Sequence, residues 1–170
     1  MSPLDLARLG AWLDTIGFAS GEPLAATALA TGRSNVTYVI ERGDRRAVLR
    51  RPAAVALARA DDGMRREFTL LRALDGTPVP HPAPIALGDD PSVLGSVFYL
   101  MSFVDGFAPS EPLPGEWDYA AARRSIALSA VETIAALHAV DWRGRGLDAL
   151  GRIEDFHARQ RRRWLAQYES

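Results

Sequence analysis

Gly32-Arg33-Ser34-Asn35 lies between two short apolar segments and has the composition of a tight turn. A glycine lets backbone approach a bound group closely, and exposed N–H groups in such a turn can take anionic oxygens. An ordinary hairpin turn uses the same residues, so phosphate contact and plain chain reversal both stand on this loop alone. Arg50 closes a β-rich run, and Glu67 falls in the middle of the helical pattern that follows. A guanidinium can hold a carboxylate or a phosphate through two parallel hydrogen bonds. The spacing fits equally well a surface arginine on a strand and a solvated glutamate on a helix.

Other chemistries are excluded or unsupported. There is no cysteine, hence no disulfide, thiolate metal site or cysteine nucleophile. All 20 basic side chains are arginine, so no lysine can form a Schiff base. His81, His138 and His157 are too scattered to suggest a metal site. No Gly-x-Ser-x-Gly elbow is present, which leaves serine hydrolysis without support. The run Arg159, Arg161, Arg162 and Arg163 is diluted by Glu154, Asp155 and Glu169 and reads as a solvated helix face, not a nucleic-acid patch. A formal net charge of −1 gives no general pull towards nucleic acid or anionic membrane. No apolar run approaches the ~18 residues of a membrane span, and the first residues carry no secretory pattern, so a cytoplasmic location is expected.

The elements that would position these residues follow from periodicity. Ser2 to Gly17 reads as a helix, with Ser2 as cap, Pro3 at the first position and Asp5 completing a capping box. Leu6, Leu9, Leu13 and Ile16 share one face. Leu24–Ala30, Val36–Glu41 and Arg46–Arg50 read as strands joined by two turns, the second at Arg42-Gly43-Asp44, which predicts an antiparallel sheet. Met64, Phe68, Leu71 and Leu74 mark a helix that ends at Gly76. Pro78, Pro80, Pro82 and Pro84 force an extended segment unsuited to a central strand. Val97–Val104 reads as a buried strand. A long amphipathic helix is expected over Tyr119–Val140, with Ile126, Ala130, Ile134 and Leu137 on one stripe, and another helix over Ile153–Tyr168. Sheet first and helices later gives an α+β class with a hinge near Asp105.

That order resembles the small lobe of the protein-kinase-like fold, and in detail the aminoglycoside phosphotransferase-like family, especially the branch joined to acyl-CoA dehydrogenases. The resemblance runs along nearly the whole chain. It rests on Gly32-Arg33-Ser34-Asn35-Val36-Thr37-Tyr38, Ala47-Val48-Leu49-Arg50-Arg51-Pro52, Arg66-Glu67-Phe68, Val97-Phe98-Tyr99-Leu100-Met101 and Ala136-Leu137-His138, in that order and at that spacing. It implies a lobe with an antiparallel sheet of about five strands over residues 1–104, a linker over 105–118, and the first helices of a truncated large lobe over 119–170.

The resemblance also implies roles. Gly32, Ser34 and Asn35 would cover nucleotide phosphates. Arg50 stands where kinases carry the strand lysine that pairs with the phosphates and with a helix glutamate, here Glu67. Met101 matches the residue at the back of the adenine pocket, with Ser102 and Val104 offering backbone groups to the base. The cofactor would be ATP or GTP with Mg²⁺, and the acceptor a small hydroxylated molecule that the sequence does not identify.

Catalysis in this family needs a His-x-Asp…Asn loop and a later metal-binding Asp. The single asparagine is Asn35, in the first hairpin, so no such loop with its asparagine exists in this chain. His138-Ala139-Val140-Asp141 has the wrong spacing, and Asp155-Phe156-His157 mimics the metal-binding triplet without a catalytic loop before it. No catalytic or metal-ligating residue is therefore assigned, and the chain alone is expected to be inactive. The alternative is a non-catalytic binding protein that self-associates through helices lacking their usual partner lobe.

Overall fold

Strands of alternating or continuous apolar residues, separated by glycine turns, pair here into one sheet. The computed structural model describes residues 4–31, 35–53, 60–109, 112–151 and 154–169. The strands are β1 (Leu24–Thr31), β2 (Asn35–Arg42), β3 (Arg45–Pro52), β4 (Pro84–Gly88) and β5 (Phe98–Ser102), and the helices are α1 (Leu6–Thr15), α2 (Ala60–Leu74), α3 (Pro91–Leu94), α4 (Ala120–His138) and α5 (Phe156–Tyr168). The sheet is antiparallel throughout, in the order β1-β2-β3-β5-β4. This is the α+β arrangement expected from the sequence. The β2–β3 turn closes between Arg42 and Arg45, with Gly43 at φ +57°; a residue with a Cβ would be strained there.

Period two along the strands sends side chains to opposite faces, and a different helix covers each face. On one face Leu9 and Leu13 of α1, with Phe18, pack on Val36, Tyr38, Ile40, Ala47, Leu49, Phe98 and Leu100. The Trp12 ring meets Phe98 edge-on, with centroids 4.8 Å apart. On the other face Met64 and Phe68 of α2 pack on Val97 and Tyr99, with Leu71, Leu87 and Met101 at the margin. Residues 97–101 thus divide between two cores, odd numbers towards α2 and even numbers towards α1. Each fully buried large apolar side chain contributes about 1.5–3 kcal/mol before conformational entropy is counted.

Buried Arg42 ties α1 to the sheet. It donates through Nε to the Glu22 carbonyl at 3.0 Å, through Nη1 to the carbonyls of Gly10 and Phe18 at 3.2 and 3.3 Å, and through Nη2 to Asp14 Oδ1 at 2.6 Å. Gly88 pairs with Phe98 across β4–β5, and a Cβ at Gly88 would overlap the Phe98 ring.

Several expectations change. The first helix starts at Leu6, and Asp5 is its cap, accepting from the Arg8 N–H at 3.0 Å. The proposed Ser2 cap and Pro3 lie outside the described residues. The last proline of the proline-rich stretch opens β4, which the sequence reading did not mark as a strand. It lies at the sheet edge, where an absent N–H costs no ladder bond. The short α3, capped by Asp90, was also not anticipated. The last helix begins at Phe156, not Ile153. Of the expected stripe on α4, Ile134 and Leu137 are about half exposed, as are Leu128 and Val131 off the stripe, and only Ala122 on this helix is buried.

The chain divides into two compact units, Met1–Val140 and Asp141–Ser170. The first holds the sheet and α1–α4, the second α5 and the turns before it. Among the described residues, no helix is long and apolar enough to cross a membrane.

Candidate functional site

Antiparallel register places Arg50 of β3 directly opposite Tyr99 of β5. Directly opposed side chains share a face of the sheet, here the face that α2 covers. One turn of α2 brings Phe68 against the Tyr99 ring, with centroids 5.9 Å apart, and its neighbour Glu67 towards the gap between the two strand residues. Arg50 Nε lies 2.9 Å from Glu67 Oε2, an ion pair of two side chains each about one third exposed. The Tyr99 hydroxyl donates to the same Oε2 at 2.9 Å.

Tyr99 itself is 3% exposed. Burial pushes its phenol pKa well above the ordinary value, and the hydrogen bond to the charged Glu67 pushes it further. The nearby Arg50 charge opposes this only in part. The phenol therefore stays protonated and remains a donor throughout the physiological range. The group that results is a guanidinium about one third exposed, held at the base by a carboxylate. Such a cation suits phosphate oxygens arriving from solvent.

β5 continues into a segment that β3 also restrains. The Arg46 guanidinium lies over the Phe103 ring, 3.8 Å from its centroid, with Glu41 Oε1 3.4 Å from Nε and Asp105 Oδ1 3.8 Å from Nη1. Val104, between Phe103 and Asp105, is exposed. Ser102, at the end of β5, is tied to the residue before β4: its N–H donates to the Ala83 carbonyl at 2.8 Å, and its Oγ accepts from the Ala83 N–H at 2.9 Å.

Of the residues singled out from the sequence, Arg50 and Glu67 are thus brought together, and Met101 lies on the same face beside the α2 core. Ser102 and Val104 follow at the end of β5 and just beyond it. The Ser102 N–H is committed to Ala83 and is not available to a base. Asn35 opens β2 opposite Pro52. Gly32 and Ser34 lie outside the described residues. Sequence reasoning missed Tyr99, Arg46 and Arg42. Only Tyr99 had left a signal: a tyrosine on the buried side of a strand needs a partner for its hydroxyl.

The two lookalike motifs take other places. His138 ends α4, and Asp141 Oδ1 accepts from the Gly144 N–H at 3.0 Å, stabilising a turn. Asp155 precedes α5 at φ +53°, and the Phe156 and His157 rings contact edge-on. Among the described residues, no group of three or more His, Cys, Asp or Glu side chains could hold a metal ion. The described residues thus supply no cluster of ligands for a divalent cation.

A model of the phosphotransferase enzyme family matches residues 25–170. The chain belongs to that family. The phosphotransferase fold extends to a solved structure from Ralstonia eutropha, assigned as an aminoglycoside phosphotransferase. It superposes with a TM-score of 0.78 at 31% identity, over 98% of this chain and 48% of that one. The five-stranded antiparallel sheet with its helices is therefore of the kinase-like kind. Curated relatives include acyl-CoA dehydrogenase family member 10 of mouse, 32% identical over 91% of this chain and 14% of that protein. A probable acyl-CoA dehydrogenase of Arabidopsis thaliana is 38% identical over 81% of this chain and 17% of its own length. Human acyl-CoA dehydrogenase family member 11 is 30% identical over 96% of this chain and 21% of its own length. The chain thus spans about half of the solved phosphotransferase and a small part of the curated relatives.

Proposed function

We propose that this chain is the N-terminal, nucleotide-binding portion of an ATP- or GTP-dependent phosphotransferase that acts on a small hydroxylated molecule. Residues 1–104 would form the nucleotide-binding lobe, 105–118 the connector and 119–170 the helical start of a second lobe. The observation that carries the reading is the Arg50–Glu67 ion pair, 2.9 Å between β3 and α2, in a chain of the phosphotransferase family.

In this reading Arg50 orients phosphate oxygens while Glu67 holds the guanidinium against the sheet. Gly32, Ser34 and Asn35 cover the phosphates through backbone and side-chain donors. Met101 backs the base, and the Ser102 carbonyl and the Val104 backbone meet its edge. Magnesium arriving with the nucleotide would neutralise phosphate charge, and its protein ligands would come from outside the residues described. Arginine is bulkier than lysine and cannot lose its proton, so the geometry of the phosphate contact differs from that of a lysine. A cysteine-free chain needs no oxidising compartment, which suits a cytoplasmic enzyme.

Thermal unfolding with and without Mg-ATP tests this. The wild-type chain should gain stability with nucleotide. Arg50→Ala should abolish that gain while leaving the melting temperature without nucleotide nearly unchanged. A shift of equal size in Arg50→Ala disposes of the clamp. The chain alone should transfer no phosphoryl group, and turnover by it would contradict the inactive reading.

The exposed apolar residues of α4 favour a second reading, a non-catalytic protein that self-associates. A monomer whose mass does not change with concentration in light scattering counts against it.

A further inference from the structure

We propose that Tyr99 is a positioning residue whose hydroxyl aims Glu67 at Arg50 before any phosphate arrives. The nucleotide part of this inference rests on the function proposed above.

The geometry separates two kinds of donor on one carboxylate oxygen. An oxygen acceptor has two lone pairs, so Oε2 of Glu67 can take both the Tyr99 hydroxyl and the Arg50 charge. The Arg50 contact is an ion pair at 2.9 Å. The tyrosine hydroxyl adds a directional hydrogen bond to the same oxygen.

The two donors also differ in rigidity. Tyr99 has two side-chain torsions, and its ring is clamped among Met64, Phe68 and Val97. Arg50 and Glu67 are long side chains about one third exposed, each with rotamers to lose. A rigid, core-anchored phenol therefore fixes the glutamate at small entropic cost, and the fixed glutamate then fixes the arginine. Because Glu67 and Phe68 are neighbours on α2, the packing that anchors the Tyr99 ring also sets the height of the carboxylate above the sheet. The arrangement is preorganised for an anion and needs no anion to form it.

The test is Tyr99→Phe in the 170-residue chain, with two readouts. Phenylalanine keeps the ring and its packing and removes only the donor. Titration calorimetry with Mg-ATP should give a dissociation constant raised about tenfold, the loss expected for a hydrogen bond to a charged group. A merely structural hydroxyl would lower the melting temperature and leave affinity unmoved at 20 °C or so below it. The second readout needs no nucleotide: urea unfolding of wild type, Tyr99→Phe, Arg50→Gln and the double variant. If both donors act through one carboxylate, the double variant's unfolding constant departs from the product of the single effects by about threefold or more. Additive effects overturn the proposal, and so does unchanged Mg-ATP affinity in Tyr99→Phe when the wild type binds. If the wild type does not bind Mg-ATP, the nucleotide reading falls and the unfolding cycle alone decides the role of Tyr99.

Discussion

A buried phenol that donates to a carboxylate is stabilised in its protonated form, and that preference is a contribution to folding. For Tyr99 the folded pKa is raised by burial first and by Glu67 second. The sign follows directly. The contribution is fully present below the unfolded tyrosine value of about 10 and is lost as pH rises from there towards the folded value. The stability gap between wild type and Tyr99→Phe, from urea unfolding at pH 8 and pH 11, should therefore narrow at the higher pH. A gap that widens would mean that the hydroxyl is not protonated beside Glu67. Arg50 can support phosphate binding only from this same cluster, so Glu67→Gln should weaken any Mg-ATP thermal shift in the same direction as Arg50→Ala.

At the scale of elements, two residues hold the sheet and its neighbours together by opposite means. Arg42 satisfies three carbonyl groups and Asp14 with one buried guanidinium. Arg42→Met keeps much of the volume and leaves those oxygens unsatisfied, so it should cost about 2–4 kcal/mol in urea unfolding. Neighbouring Arg45 lies over the Phe18 ring, 4.2 Å from its centroid, on the exposed side. Its replacement by alanine should cost less than about 1 kcal/mol. Gly88 holds by absence, since Phe98 occupies the space a side chain would need. Gly88→Ala forces a buried ring to move and should destabilise by about 1–3 kcal/mol, read from the same unfolding curves.

At the scale of the molecule, α4 carries Ile126, Leu128, Val131, Ile134 and Leu137 around much of its circumference, yet only Ala122 on it is buried. A helix apolar on most sides belongs in an interior. A groove of about 590 Å³, lined by Pro109, Ile126, Ala130 and Ile134 among others, runs along it. The solved phosphotransferase contains about as much chain again as this one covers, 48% of its length being matched. Val131→Glu with Ile134→Glu should reduce light scattering at high concentration. Because both side chains are exposed, stability should move by no more than about 0.5 kcal/mol per site. Loss of folding in that variant would show that the face packs within the chain.

The sequence determined most of the order of elements and the antiparallel class of the sheet, and its resemblance to a family implied the pairing of Arg50 with Glu67. Each of these leaves a local or periodic trace: glycine turns between alternating runs, a helical face at Met64 and Phe68, and a cation and carboxylate at family spacing. Helix ends were less legible, because Ser2 and Asp5 are both acceptable caps and only the formed helix chose Asp5. The strand after the prolines was missed because its stability comes from β5 and not from its own residues. Tertiary structure alone decided that Tyr99 and Arg50 share one oxygen of Glu67, and that Arg42 closes on Asp14. Those partners are brought together across strand register and helix packing, at sequence separations of 32 and 28 for the Tyr99–Glu67 and Arg42–Asp14 bonds. No local pattern encodes a hydrogen bond of that range. It exists once two faces of one sheet have each found their helix.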